Sequence, residues 1–396
     1  MATADPISDL ANQSTRTGYA LLALLPPLPQ EQLESTLSRL TTFVAPEELL
    51  VATQNGIAPD AYPPVRIVEA QPTRAAWTLT AADFANAGEI ARKYDARAIL
   101  VLGPEGGTLS AEALNNLSST VMTGATDLAI PRYDLPPHAG LVNSAILYPV
   151  TRALFATRVR FPLAIDLCLS TRMAERMAAA AQRLGSSGQE DAMLWPVAES
   201  VVAGFNLSEV EVGSRVLPQP PDPNIRDILA SVTNSLFSDI EAKAAYWQRP
   251  RRLQPARITP PQTVRSEGPS DVASMIDGFR LAYSNLQEIW GLVLPPHSLL
   301  GLKRLSLMDA ASFRMPENLW ARIVYDFLIA FRLRTINRGH LLGALIPLYL
   351  AWVAGHINIL ASGGDPERHV EAVAAAFDAD KPYLVSRWRW PDRFNP

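Results

Sequence analysis

The chain has 396 residues, 48% of them hydrophobic and 19% charged, with a formal net charge of −4. That apolar content excludes a mostly disordered protein, and the length excludes one small module in favour of two or three domains. The weakly negative balance, with basic residues only in small local groups, excludes a whole-protein field for nucleic acid.

The first apolar stretch, residues 19–28, follows Asp5 and Asp9 with no basic segment before it and contains Pro26 and Pro27, so it reads as a strand and not as a secretory signal. Strands are predicted over 19–25, 48–52, 65–68, Ala98–Leu102 and 128–131, alternating with helices near 30–43, Ala81–Tyr94 and 110–123. This alternation predicts an α/β fold with a mostly parallel sheet and helices on both faces. Ala98–Leu102 is apolar throughout, as a strand covered on both faces should be. Ligands of such sheets bind beyond the carboxyl ends of the strands, so the residues just after each strand carry the functional information. The only cysteine, Cys168, cannot form an internal disulfide and lies in the apolar run 165–169, which reads as core of a protein in a reducing cytoplasm.

A strand-like stretch, 207–212, is followed by Pro218, Pro220, Pro221 and Pro223, which place a domain boundary near residue 220 and divide the chain into 1–220 and 221–396. Beyond it the period becomes helical, over 225–248, 271–290, Glu317–Leu333, 341–360 and 366–378, with Asp365 and Pro366 as an N-cap and first-turn proline. Residues 250–269, with Arg251, Arg252, Arg257 and Arg265, read as an extended surface loop. The one stretch apolar enough to suggest a bilayer span, 341–360, is interrupted by Pro347, Gly355, His356 and Asn358, so it reads as a buried helix, with peripheral membrane contact as the lesser alternative. His340 and His356 are too far apart for a metal pair. Arg387, Trp388 and Trp390 read as a tail docked on its own domain or on a partner subunit, in keeping with a homo-oligomer formed through the helical part.

Pro131-Arg132-Tyr133, then Leu147-Tyr-Pro-Val-Thr-Arg-Ala-Leu-Phe155, Arg160-Phe-Pro-Leu163 and Asp166-Leu-Cys-Leu-Ser170, resemble in order and spacing segments of the GT-A glycosyltransferases that include the mannosylglycerate, glucosylglycerate and glucosyl-3-phosphoglycerate synthases. Trp320 to Phe327 and Pro347-Leu-Tyr349 are similar to the helical tail of the same group. The resemblance implies a GT-A domain followed by a helical C-terminal domain, and transfer of a hexose from a nucleotide sugar to a small acidic or polyol acceptor such as glycerate. It also implies a divalent metal, Mg²⁺ or Mn²⁺, on an Asp-x-Asp pair that neutralises the leaving diphosphate. By the same resemblance Gly103, Glu105 and Arg132 face the donor, Glu105 is the one candidate metal ligand, Arg160 and Asp166 face the acceptor, and Asp166 with Glu190 or Asp191 carries catalysis.

The sequence departs from that pattern at several places. Gly103 stands where the first aspartate belongs, and Gly213-Ser-Arg-Val-Leu217 stands where the group carries a metal histidine. Gln54 and Asn55 follow the second strand in place of an acid, no glycine-lysine-glycine occurs in 77–82, and Ala164-Ile165 replace two glycines that leave room beside the sugar. Each candidate also has a structural reading: Glu105 as a solvated loop carboxylate, Asp166 as a buried acid held by backbone amides, Glu190 and Asp191 as first-turn acids on a helix dipole, and Arg132, Arg152 and Arg160 as ion-pair partners. Two functions follow, a transferase with a reduced metal site and a catalytically inactive relative that serves as a binding or partner subunit. Arginines converging above Glu105, among them Arg74, Arg132 and Arg215, would favour the first, and a pocket filled by Ile165 and Leu217 the second.

Overall fold

The computed structural model describes residues 18–54, 56–58, 61–73, 77–186, 188–189, 191–218, 224–251 and 271–391. Seven strands, β1 (Leu21–Leu24), β2 (Leu49–Thr53), β3 (Arg66–Glu69), β4 (Ala98–Leu102), β5 (Leu128–Asp134), β6 (Asp166–Ser170) and β7 (Leu207–Ser214), form one sheet in the order β3-β2-β1-β4-β6-β5-β7. All neighbours run parallel except β6, which is antiparallel to both β4 and β5. The first half of the chain also forms α1 (Gln30–Leu40), α2 (Ala81–Tyr94), α3 (Ala111–Met122), α4 (Tyr148–Phe155), α5 (Thr171–Gly185) and α6 (Pro196–Ala203).

The period of two along each strand divides the apolar residues between two layers. Leu22, Leu24, Ile99 and Val101 face α2 and α5, where they meet Phe84, Met173 and Met177, whereas Leu21, Ala23, Leu100 and Leu102 face α1 and α3 and meet Leu33, Leu37 and Leu114. Every residue of β1, β2 and β4 is buried, as their unbroken apolar character requires. A capping box between Thr80 and Asp83 starts α2, and the Ser110 and Ser170 hydroxyls cap α3 and α5.

The later elements are α7 (Ile225–Ala242), α8 (Ala244–Trp247), α9 (Val272–Asn285), α10 (Gln287–Val293), α11 (Pro296–Ser306), α12 (Glu317–Leu333), α13 (Arg338–Ala361) and α14 (Pro366–Arg389). The architecture is therefore a mostly parallel α/β sheet with helices on both faces, followed by a helical C-terminal region, as the sequence predicts. The helical region shares a continuous core with α4 and α6. Trp320 Nε1 donates to the Ala145 carbonyl at 2.7 Å, and Arg152 pairs with Glu371 and Asp378 of α14 at 2.6 and 3.0 Å, so Arg152 ties α4 to the last helix and not to the sheet. By length and composition α13 could cross a bilayer, and 67% of its most apolar stretch is buried inside the protein.

Three elements differ from the sequence reading. The apolar run 165–169 falls largely in the reversed strand β6, whose five residues are too few to announce a period. α6 begins at Pro196 with Trp195 at its N-cap, because proline suits a first helical turn, so Asp191 lies in the turn before the helix and not within it. α14 runs on to Arg389 through Pro382, and the aromatic tail becomes its last turn: Trp388 meets the Trp247 ring edge-on at 4.9 Å and Arg387 donates to Asp326 at 2.7 Å.

Candidate functional site

β1 ends in Leu25-Pro26-Pro27-Leu28-Pro29, whose prolines have no N–H with which to continue a sheet ladder, and the neighbouring β4 ends in Gly103-Pro104-Glu105. The chain parts there and leaves a cavity of about 420 Å³ beyond the carboxyl ends of both strands. Its far wall is held by side-chain amides. Gln54 donates from Nε2 to Thr73 Oγ1 at 3.2 Å and accepts from the Thr73 N–H at 3.4 Å, while Asn86 exchanges two hydrogen bonds with the Gln71 backbone at 2.7 and 3.1 Å. The Asp83 carboxylate, also on this wall, accepts from the Thr80 N–H at 2.8 Å, and burial raises its pKa.

Glu105 stands at the rim, exposed, with φ 63° and ψ 5°. A left-handed conformation costs a residue with a Cβ energy that the surroundings must supply, and such residues gather at ligand sites. Gly103 is closed in: a Cβ there would lie 2.5 Å from the Ile165 carbonyl oxygen, so the position has no room for an aspartate. Gly106 is equally constrained, since its Cβ would fall 2.8 Å from Leu102 Cβ, which makes it a packing glycine and not part of a phosphate cradle.

Beneath this loop Asp166, the first residue of β6, is wholly buried. Its Oδ1 accepts from the Gly103 N–H at 3.1 Å and from Arg215 Nη2 at 3.1 Å, and its Oδ2 accepts from the Tyr133 hydroxyl at 2.9 Å and from Arg215 Nε at 2.9 Å. Arg215 Nη2 also donates to the Pro104 carbonyl at 2.7 Å, and neither charged side chain has any exposed surface. Burial, and then the Asp166 charge, push the Tyr133 hydroxyl well above its usual pKa. Four donors occupy the four acceptor positions of the carboxylate.

The residues present do not fit an Asp-x-Asp metal centre. Gly103 admits no carboxylate, the Asp166 oxygens are taken, and among the described residues no three His, Cys, Asp or Glu side chains come together. The positive charge at this place belongs to Arg215, which sequence reasoning named only as one of several candidates to fold over the donor and which lies under the loop instead.

Arg132 and Arg160 line a separate polar pocket of about 160 Å³ beyond β5, together with Ser144, His356 and Glu367. Arg160 donates to Glu367 and Ser144 at 3.2 and 3.1 Å and lies 5.1 Å from the Tyr148 ring centre, and its Nη1 is buried without a partner among the described residues. His356, 1% exposed, packs in a three-ring cluster with Trp352 and His369 and shares an Nδ1–Nδ1 hydrogen bond of 2.7 Å with His369. Burial, and then His369, hold the pKa of His356 down at about 4. Sequence reasoning left this pair apart because 13 residues and a turn separate its members.

A third cavity, of about 450 Å³, lies between the loops of the sheet and the helical region, with Ile165 and Leu217 in its wall and not filling it. Asp191 is exposed and lines none of the three cavities, and Glu190 and Arg74 lie outside the described residues. The structure thus brings Gly103 and Glu105 together at one cleft and Arg132 and Arg160 at another, with Asp166 buried beneath the first.

No family model matches the chain, and no curated protein matches it. Among solved structures it is similar to glucosyl-3-phosphoglycerate synthase from Mycobacterium tuberculosis in complex with phosphoglyceric acid, at 14% identity over 57% of this chain and 80% of that one, with a TM-score of 0.35. It is similar to the same synthase in complex with Mn²⁺, uridine-diphosphate-glucose and phosphoglyceric acid, at 14% identity over 61% of this chain and 85% of that one, with a TM-score of 0.36. Both are structures of a glucosyl-3-phosphoglycerate synthase, one of the enzymes in the group that the sequence resembles.

Proposed function

We propose that the chain binds a nucleotide sugar in the cleft beyond β1 and β4 and transfers its hexose to a small hydroxyl acceptor without a metal ion. The observation that carries this reading is the cleft itself, about 420 Å³ at the carboxyl ends of two adjacent parallel strands, where doubly wound sheets take their ligands. Glu105 at the rim is an acceptor-only group suited to the ribose hydroxyls. Arg132 and Arg160, with one guanidinium nitrogen unpartnered, offer donors to the carboxylate of an acidic acceptor. Asp166, locked by Arg215, acts as the support of the cleft floor, so the acceptor hydroxyl is left to solvent for its proton. A metal supplies several kcal/mol of transition-state stabilisation to such reactions, and without it the transfer is slow.

The saturation of Asp166 also favours the second reading, a binding or partner subunit with the donor cleft retained and transfer lost. Calorimetry with UDP-, GDP- and ADP-linked sugars, in EDTA and in Mg²⁺ or Mn²⁺, tests the first step. Micromolar binding of one nucleotide, equal with and without metal, is expected. Binding only with metal overturns the metal-free site, and no binding by the folded protein overturns the donor cleft. Mass spectrometry of the bound sugar incubated with glycerate or phosphoglycerate then separates transfer from binding alone.

A further inference from the structure

The third cavity has a chemistry unlike the other two. About 450 Å³ in volume, it is walled by Trp77, Leu141, Leu163, Ile165, Leu217 and Val353 among others, and no Asp, Glu, Lys or Arg is among its lining residues. A pocket of this size and character is the ordinary form of a small-molecule site, with an apolar body and a few polar groups, whereas a surface that docks a protein carries a polar rim. Of the polar side chains in the wall, which include Asn143 and Tyr349, two have an unpartnered buried atom. Thr78 is 3% exposed and its Oγ1 has no partner among the described residues, and His138 Nδ1 is likewise buried and unpartnered. Leaving such a group unpaired in the interior is costly, and a ligand hydroxyl at Thr78 would remove that cost. Thr78 also lines the donor cleft, so the two cavities meet at one residue.

We propose that this cavity binds an apolar alcohol, a hydrocarbon chain or ring bearing a single hydroxyl, with the hydrocarbon among Leu141, Leu163 and Leu217 and the hydroxyl at Thr78. The binding stands without the donor cleft. The assignment of the alcohol as the acceptor for the bound sugar rests on the proposed transferase reading. Such an acceptor differs from the glycerate-like one that the resemblance implies, since among the described residues no Lys or Arg lines this wall to meet a carboxylate.

The test uses the full chain with 1-decanol and 2-naphthol as probes in calorimetry. Binding with a negative heat-capacity change is expected, as burial of apolar surface requires. Leu217→Trp and Ile225→Trp, at partly exposed positions of the wall that tolerate a larger side chain, should each weaken the alcohols at least tenfold while leaving nucleotide binding unchanged. Thr78→Val should weaken 2-naphthol but not naphthalene. Failure of both alcohols to bind, or equal binding by the wild type and both tryptophan variants, overturns the proposal whatever the nucleotide does. A concentration-dependent dimer that Leu217→Trp abolishes would assign the cavity to a second copy and overturn it as well. Loss of nucleotide binding with the alcohols still bound would remove the transferase reading and leave this site standing.

Discussion

Arg215 and Asp166 meet side on in the interior, with Nε 2.9 Å from Oδ2, Nη2 3.1 Å from Oδ1 and no exposed surface on either side chain. Removing one partner of such a pair strands a buried charge at a cost of about 3–5 kcal/mol, whereas neutralising both together costs far less. Arg215→Met should therefore lower the urea midpoint strongly. The double variant Asp166→Asn/Arg215→Met, which keeps an amide oxygen to accept from the Gly103 N–H and an amide N–H to donate to the Tyr133 hydroxyl, should recover most of the loss. Equal destabilisation of the single and double variants would show that packing, and not charge, holds the loop.

Gly103→Asp restores the first residue of the Asp-x-Asp pair in sequence but not in space. With its Cβ 2.5 Å from the Ile165 carbonyl, the aspartate must displace backbone, and overpacking of this kind costs about 1–3 kcal/mol. The variant should melt earlier than the wild type and gain no stabilisation from Mn²⁺ in a thermal-shift titration. A Mn²⁺-dependent rise in Tm would contradict the closed geometry.

Glu105 holds a left-handed backbone at the rim of the cleft beyond β1 and β4. Glu105→Gly should leave stability within about 1 kcal/mol of the wild type, because relief of the backbone offsets the added freedom of the unfolded chain. The same variant, and Glu105→Ala, should weaken nucleotide-sugar binding about tenfold. Unchanged affinity in both would remove Glu105 from the site.

His356 is buried against Trp352 and His369, with His138 and Arg160 also acting on it and Glu317 acting on His369, and its pKa is held at about 4. The unfolded chain binds a proton at this residue near pH 6.5, so stability due to neutral His356 is full above that pH and is lost as the pH falls towards 4, by about 3 kcal/mol in all. Asp239 and Asp326, raised by burial to about 6, act in the opposite sense over the same range. The readout is therefore the difference between the wild type and His356→Phe: urea midpoints at pH 7 and pH 4.5 should show the variant losing less stability on acidification. Parallel losses would mean that His356 already protonates in the folded protein.

The sheet was legible because its central strands are unbroken apolar runs set off by proline and glycine, and α2 and α12 have the bounds their periodicity predicts. β6 was not, since a five-residue strand running against its neighbours differs in no local feature from any buried run. At the site, the closure of Gly103 depends on the Ile165 backbone 62 positions later, and the fate of Asp166 on Arg215 49 positions later. Residue types showed that the carboxylate pair was incomplete, and only the contacts showed what had taken its place. His356 and His369 belong to the same class, because their pairing is set by how α13 and α14 pack and not by a ligand spacing.

The clasp between α4 and α14 gives the order of synthesis a physical meaning. Arg152 emerges more than 200 residues ahead of Glu371 and Asp378, its two partners. While the chain is being made, its guanidinium has neither carboxylate partner until α14 follows. Contacts this distant in sequence are slow to form, so the face of α4 that carries Arg152 stays uncovered until the last helix arrives. The helical half is then the later and more aggregation-exposed step of folding.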